Sequence, residues 1–181
     1  MSLELEVYPD AETAVERVAE LIGERTRGAE GRFSLALSGG SVATDLSHAL
    51  ADEEIPWERM EVFQVDERIA PPGHPDRNLT GLISELPAGA RRDLRAMPVE
   101  EDDLDAAAAG YAASLPPVLD LVHLGLGPDG HTASLLPGDP VLDVRDRRVA
   151  ITGEYEGRRR MTLTYAALDS AREVVWLVTG A

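Results

Sequence analysis

The chain has no cysteine, which excludes disulfides, thiolate nucleophiles and cysteine-bound zinc. It has no lysine either, since all 17 basic residues are arginine. Schiff-base chemistry on lysine and a P-loop with its lysine are therefore impossible. No apolar run approaches the roughly 20 residues that span a bilayer. The opening residues, MSLELEVYPD, lack the basic-then-apolar order of a secretory signal, so a cytoplasmic protein is expected. No His-x-x-x-His or His/Glu cluster is present, and no metal is expected. Positive charge is scarce overall: 33 acidic residues leave a net charge of −16. Such a field repels nucleic acid and anionic membranes. A phosphorylated small molecule remains possible where local arginines or backbone N–H groups collect it.

What is present is an ordinary globular composition, 44% apolar and 28% charged, in 181 residues. That length suits one domain with a sizeable core. Residues Leu3 to Tyr8 alternate and predict a strand. Asp10 is placed to cap a helix over Ala11 to about Arg25, whose Ala14, Val15, Val18, Ala19 and Ile22 share one face. Further strands are predicted at Phe33 to Leu37, Met60 to Val65, Leu119 to Leu124, Arg148 to Thr152, Arg160 to Thr164 and Glu173 to Val178. Helices are expected from Ser41 to about Leu50, near Leu79 to Leu86, and over Asp103 to Leu115. This alternation points to an α/β domain with three layers, α/β/α, and a largely parallel sheet.

Three polar segments follow the C-terminal ends of predicted strands, where α/β proteins bind ligands. Ser38-Gly39-Gly40-Ser41 is a glycine turn into a helix; its N–H groups and Ser41 suit a phosphate or an oxyanion, or Ser41 serves only as an N-cap. Asp66-Glu67-Arg68 offers a carboxylate to orient a hydroxyl and a guanidinium to clamp phosphate; the plain alternative is a surface turn. Arg77-Asn78 adds a second guanidinium and an amide, or simply a solvated loop with Asn78 capping a helix. The third segment, Gly125 to Gly138, carries Asp129-Gly130-His131 on a tip of little bulk. Thr132 to Leu136 is expected to begin a helix. A histidine there can take a proton from attacking water. His48, His74 and His123 are taken as structural or exposed, with His123 a hydrogen-bonded core residue. In Arg158-Arg159-Arg160, the first two are expected to be solvated and Arg160 to start a strand near the site.

Together these segments resemble the 6-phosphogluconolactonase family. The Ser-Gly-Gly turn, Asp-Glu-Arg with a later Arg-Asn, Gly-Leu-Gly-Pro-Asp-Gly-His-Thr-Ala-Ser-Leu and Arg-Met-Thr-Leu-Thr occur here in the family's order. The resemblance implies a fold like that of ribose-5-phosphate isomerases and glucosamine-6-phosphate deaminases. It implies hydrolysis of 6-phospho-D-glucono-1,5-lactone in the pentose phosphate pathway, without a cofactor. It implies His131 as general base and Asp66 on sugar hydroxyls or in proton transfer. By the same resemblance Arg68 and Arg77 hold the phosphate, with Arg160 as a further cation. Gly39, Gly40, Ser41, Asn78, Gly127, Asp129 and Gly130 line the pocket. The nearest rival is a glucosamine-6-phosphate deaminase. Its pattern continues after the histidine with a carboxylate, whereas Ala133 to Pro137 contains none. Family members resembling this chain continue past Val-Thr-Gly-Ala into a phosphate-binding lysine. The chain ending at Ala181 therefore reads as a shortened member, and a non-catalytic sugar-phosphate-binding domain is a third alternative.

Overall fold

Four short, mainly apolar runs and one two-residue strand form one sheet. In a computed structural model, which describes residues 3–180 apart from the Ser41 side chain, β1 (Phe33–Leu37) pairs in parallel with β2 (Met60–Gln64) over its full length. On its other side β1 pairs in parallel with β5 (Leu121–Leu124). The two-residue β4 (Leu94–Arg95) and β8 (Glu173–Trp176) extend the edges, giving the order β4-β2-β1-β5-β8. A parallel sheet must be covered on both faces, and strand alternation divides the side chains accordingly. Leu35, Leu37, Val62 and Leu121 face one apolar cluster; Ala36, Phe63, Val122 and Leu124 face the other.

The first face is covered by helices. α1 (Ala11–Gly28) is capped by Asp10, whose carboxylate accepts from Thr13 N at 2.8 Å, and it buries Val15, Val18, Ala19 and Ile22. α2 (Ser41–Asp52) adds Leu46 and Leu50, while α3 (Asn78–Glu85) and α4 (Ala88–Arg92) add Leu82 and Ala90. The opposite face takes α5 (Leu104–Ser114), the short α6 (Tyr165–Leu168) and a second, antiparallel sheet. That sheet has the order β3-β7-β6, from β3 (Asp66–Arg68), β6 (Val149–Ile151) and β7 (Arg160–Leu163). Val65 hinges the two sheets: its N–H donates to Leu37 O at 3.0 Å, and its carbonyl accepts from Leu163 N at 2.8 Å. The three-layer α/β/α arrangement with a parallel central sheet matches the sequence pattern. The antiparallel sheet is an addition, formed because the strand after β2 crosses to pair with β7.

Residues 3–8 are not a strand. Leu3, Leu5 and Val7 alternate as expected, yet they are 89%, 83% and 84% exposed and pair with no strand among the described residues. Alternation gives a chain two faces but supplies no hydrogen-bonding partner. Among the described residues, no helix is long and apolar enough to cross a membrane.

His123 is buried in β5, as expected, but neither ring nitrogen has a hydrogen-bond partner. Burial pushes its pKa down to about 4 from 6.5. Between those two pH values the unfolded chain binds a proton that the folded chain refuses, so stability is complete above the unfolded value and falls as pH falls. The shift corresponds to about 3 kcal/mol. Replacing His123→Leu should remove this slope, so that from pH 7 to pH 4 the variant gains up to that amount relative to the parent in urea denaturation. Parallel pH dependences of the two proteins would contradict it.

Candidate active site

The parallel register brings the ends of β1, β2 and β5 to one edge of the sheet. The link between β1 and β5 is direct, since Ser38 Oγ donates to His123 O at 3.0 Å. Gly39 follows, packed so tightly against Asn78 that a Cβ would stand 2.1 Å from its Oδ1. Gly40 takes the N-cap position of α2 with φ 101°, a backbone state that glycine adopts without strain. The N-cap is thus Gly40 and not Ser41, whose side chain lies outside the described residues.

At the end of β2 the chain runs through Asp66, Glu67 and Arg68 as a strand, so the middle residue faces opposite to its neighbours. Glu67 is fully buried. Its Oε1 accepts from Arg68 N and Asn78 N, both at 2.8 Å. Its Oε2 accepts from Leu79 N at 2.8 Å and Gln64 Nε2 at 3.0 Å, and lies 3.1 Å from Arg77 Nε. The carboxylate therefore caps α3 from a distant strand, where the helix N-terminus favours negative charge.

This corrects the role expected of Arg77. Its side chain is 1% exposed, with Nη1 on Ala70 O at 3.0 Å and Glu100 Oε1 at 2.7 Å. It pairs with Glu67 and Glu100 in the interior, although its Nη2, like the Nε of Arg68 and Arg160, is buried without a hydrogen-bond partner among the described residues. Asn78 is the first residue of α3 and not its side-chain cap. Its Nδ2 reaches Asp66 O at 2.9 Å and Asp66 Oδ1 at 3.2 Å.

Asp66 is 5% exposed, and Ser134 Oγ donates to its Oδ2 at 2.6 Å. Burial raises its pKa, opposed by the Ser134 bond and by the charges of Arg68 and Arg160. β3 pairs with β7 so that Arg68 stands directly opposite Arg160. Like charges in that position repel. Arg68 Nη1 donates to Asp76 O at 2.8 Å, and Arg160 Nη2 to the exposed Glu156 at 3.2 Å. The Nε of each is buried without a partner. Arg159 is exposed, as expected; Arg158 is half-buried, holding the exposed Asp76 at 2.7 Å and meeting His74 at 3.2 Å.

The loop after β5 carries His131. No helix begins at Thr132. Residues 132–135 form a tight turn in which Leu135 N donates to Thr132 O at 3.0 Å and Ala133 takes φ 52°. Tertiary bonds claim the groups a helix would need: Ser134 N donates to Thr162 Oγ1 at 3.1 Å, and Thr132 Oγ1 to Gly125 O at 2.9 Å. His131 Nδ1 meets Asp129 Oδ1 at 2.5 Å, and its backbone N–H donates to the same oxygen at 3.2 Å. Nε2 has no hydrogen-bond partner among the described residues. The ring lies over Gly127, where a Cβ would come within 2.3 Å of it, and Gly130 turns the loop at φ 88°. Asp129 was expected to line the pocket. Its other oxygen instead accepts from Tyr155 Oη at 2.8 Å, so both oxygens are engaged within the protein. The His131 and Tyr155 bonds together hold its pKa down, to about 2.

The parts close a circuit. Gly39 packs on Asn78, Asn78 bonds Asp66, and Asp66 bonds Ser134 three residues beyond His131. His131 bonds Asp129 and Asp129 bonds Tyr155; Tyr155 lies beneath the Arg160 guanidinium at 4.9 Å, and Arg160 faces Arg68. Glu67, Ser134, Thr162 and Tyr155 had no assigned role in the sequence. Period-two alternation through Asp66-Glu67-Arg68 was the available signal for Glu67. Among the described residues, no cluster of three or more His, Asp or Glu side chains is placed to hold a metal ion.

Comparison with known proteins gives one answer. The profile for glucosamine-6-phosphate isomerases/6-phosphogluconolactonase matches residues 9–181. The 6-phosphogluconolactonase of Nostoc sp. is 36% identical, the match covering 100% of this chain and 82% of that protein. The 6-phosphogluconolactonase of Synechocystis sp. is 38% identical over 91% of this chain and 72% of its own length. A solved 6-phosphogluconolactonase from Trypanosoma brucei superposes with a TM-score of 0.86 at 25% identity, covering 99% of this chain and 82% of that one. The chain belongs to the glucosamine-6-phosphate isomerase/6-phosphogluconolactonase family.

Proposed function

We propose that this protein hydrolyses 6-phospho-D-glucono-1,5-lactone to 6-phosphogluconate in the pentose phosphate pathway, with His131 as general base. The observation that carries the chemistry is the Nδ1 contact between His131 and Asp129. A carboxylate on Nδ1 favours the tautomer that leaves Nε2 free to accept a proton. Water, deprotonated by Nε2, adds to the lactone carbonyl. The tetrahedral intermediate collapses by breaking the bond to the ring oxygen, and the imidazolium returns its proton to that oxygen. One hydroxyl and one carboxylic acid result, and the acid ionises in solution. The match to lactonases, over 82% and 72% of their lengths, supports this substrate. So does the turn at residues 132–135, which holds no carboxylate of the kind expected in a deaminase.

Arg68 and Arg160 are the proposed phosphate ligands in place of Arg77. Two opposed guanidinium groups with unpartnered Nε atoms form a site whose repulsion a dianion relieves. Asp66, held by Asn78 and Ser134, is assigned to a sugar hydroxyl. The backbone at Gly39, Gly40, Ser41, Gly127 and Gly130 is assigned to the pocket wall. The proposed setting is the cytoplasm, with a sugar phosphate as the small-molecule partner.

With freshly made 6-phosphogluconolactone, acid release above the buffer blank is expected. His131→Ala should lower kcat by roughly 10²- to 10⁴-fold with little change in KM. A His131→Ala rate equal to the parent's would remove the base assignment. A folded parent that binds 6-phosphogluconate without releasing acid would establish a binding domain instead. Arg160→Gln should raise KM about ten-fold or more, as expected for a lost charge-assisted contact. An unchanged KM would move the phosphate elsewhere.

A further inference from the structure

Tyr155 sits outside the strand and loop motifs that define the site. It stands at the base of a tight turn between β6 and β7, in which Tyr155 N donates to Arg158 O at 2.9 Å and Arg158 N returns to Tyr155 O at 3.1 Å. Glu156 and Gly157 between them have φ 52° and 77°, the left-handed pair of a narrow hairpin turn. The turn is anchored on two sides. Arg158 holds Asp76 at 2.7 Å, and Gly153 N donates to Asp139 Oδ2 at 2.8 Å. A hairpin fixed in this way presents the Tyr155 side chain in one direction.

Every part of that side chain is engaged. The hydroxyl donates to Asp129 Oδ2 at 2.8 Å, the oxygen that His131 does not use. The ring meets the His131 imidazole edge to face, with centroids 5.7 Å apart and planes at 67°. Its face carries the Arg160 guanidinium at 4.9 Å. The bond to Asp129 raises the phenol's pKa, which keeps it a donor. Asp129 lies on a glycine-rich tip, where its Oδ1 is held by His131 alone, through the backbone N–H and Nδ1. The terminal torsion of a carboxylate is broad and roughly two-fold, so a bond to the second oxygen narrows it.

We infer that Tyr155 is the positioning residue for the Asp129–His131 pair: its hydroxyl locks the carboxylate so that one oxygen faces Nδ1, and its ring ties the imidazole to Arg160. The inference rests on the lactonase assignment for its kinetic consequence but not for its structural one. The hairpin thereby couples the group that activates water to a guanidinium assigned to the phosphate. Tyr155 touches no reacting atom, so its loss should appear in kcat and in the state of the imidazole, with KM kept.

The test is Tyr155→Phe, which retains the ring and removes only the hydroxyl. Nitrogen-15 NMR of the imidazole in the substrate-free protein should show the Nδ1–H tautomer of His131 in the parent and a mixture of tautomers in the variant. The kcat for lactone hydrolysis should fall about three- to ten-fold with KM unchanged, the range for one lost hydrogen bond. In an Asp129→Asn background the same substitution should cause no further change in either quantity, because the hydroxyl acts through the carboxylate. An unaltered tautomer with unaltered kcat in Tyr155→Phe would overturn the inference. So would an equal loss of kcat in both backgrounds. A full rate in His131→Ala would remove the base assignment alone, since the tautomer is read without substrate.

Discussion

The buried carboxylate of Glu67 is the constraint on which the site depends. It accepts four hydrogen bonds within 3.0 Å and lies against the Arg77 guanidinium, with no exposure to solvent. A charge removed from water in this way is tolerable only when every lone pair is used. That demand fixes several positions at once. Helix α3 must begin at Asn78, Arg77 must turn inward, and β3 must present Glu67 to one side. By alternation Asp66 and Arg68 then face the other side, where β7 places Thr162 and Arg160 opposite them.

The two sides of β3 therefore serve different ends. On the interior, charge is neutralised and the loop between β3 and α3 is held. On the other side, Arg68 and Arg160 hold directly opposed strand positions, and their charges counter the rise that burial gives the Asp66 pKa. Two arginines at opposed positions, partly offset by Asp66 and Glu156, concentrate positive charge locally in a chain of net charge −16, which is why the phosphate is proposed to bind here. The β5 loop brings the imidazole to the same place through Ser134, which bonds Asp66 and Thr162 together. The groups proposed for binding and for proton transfer thus share one framework, with Tyr155 closing it from the β6–β7 turn.

Much of this was legible in the sequence because it follows from local pattern. Apolar runs of four to six residues marked four of the five strands of the main sheet, the two-residue β4 having no such run, and Asp10 marked the start of α1. The convergence of Ser38, Asp66 and His131 followed from parallel strands sharing one edge. The failures came where tertiary contacts overrule local preference. Residues 3–8 alternate but find no strand to pair with among the described residues, and residues 132–136 carry helix-compatible side chains whose backbone groups bond elsewhere. Arg77 looked like a phosphate ligand because an arginine beside an asparagine after a loop gives no sign of which way it turns. Only the carboxylate at Glu67, ten residues earlier, decides it. Tyr155 was invisible for the same reason, since its partner lies 26 residues away in the chain.

The most direct test of this account is amide hydrogen exchange in Glu67→Gln. The amide keeps the size of the carboxylate but turns one acceptor into a donor facing donors. Protection at Arg68, Asn78 and Leu79 is predicted to fall roughly 10- to 100-fold, matching the loss of a charge-assisted hydrogen bond. Protection in β1 and β5 should fall less. Unchanged exchange at those three amides, together with undiminished lactone hydrolysis, would contradict the claim that Glu67 organises the site.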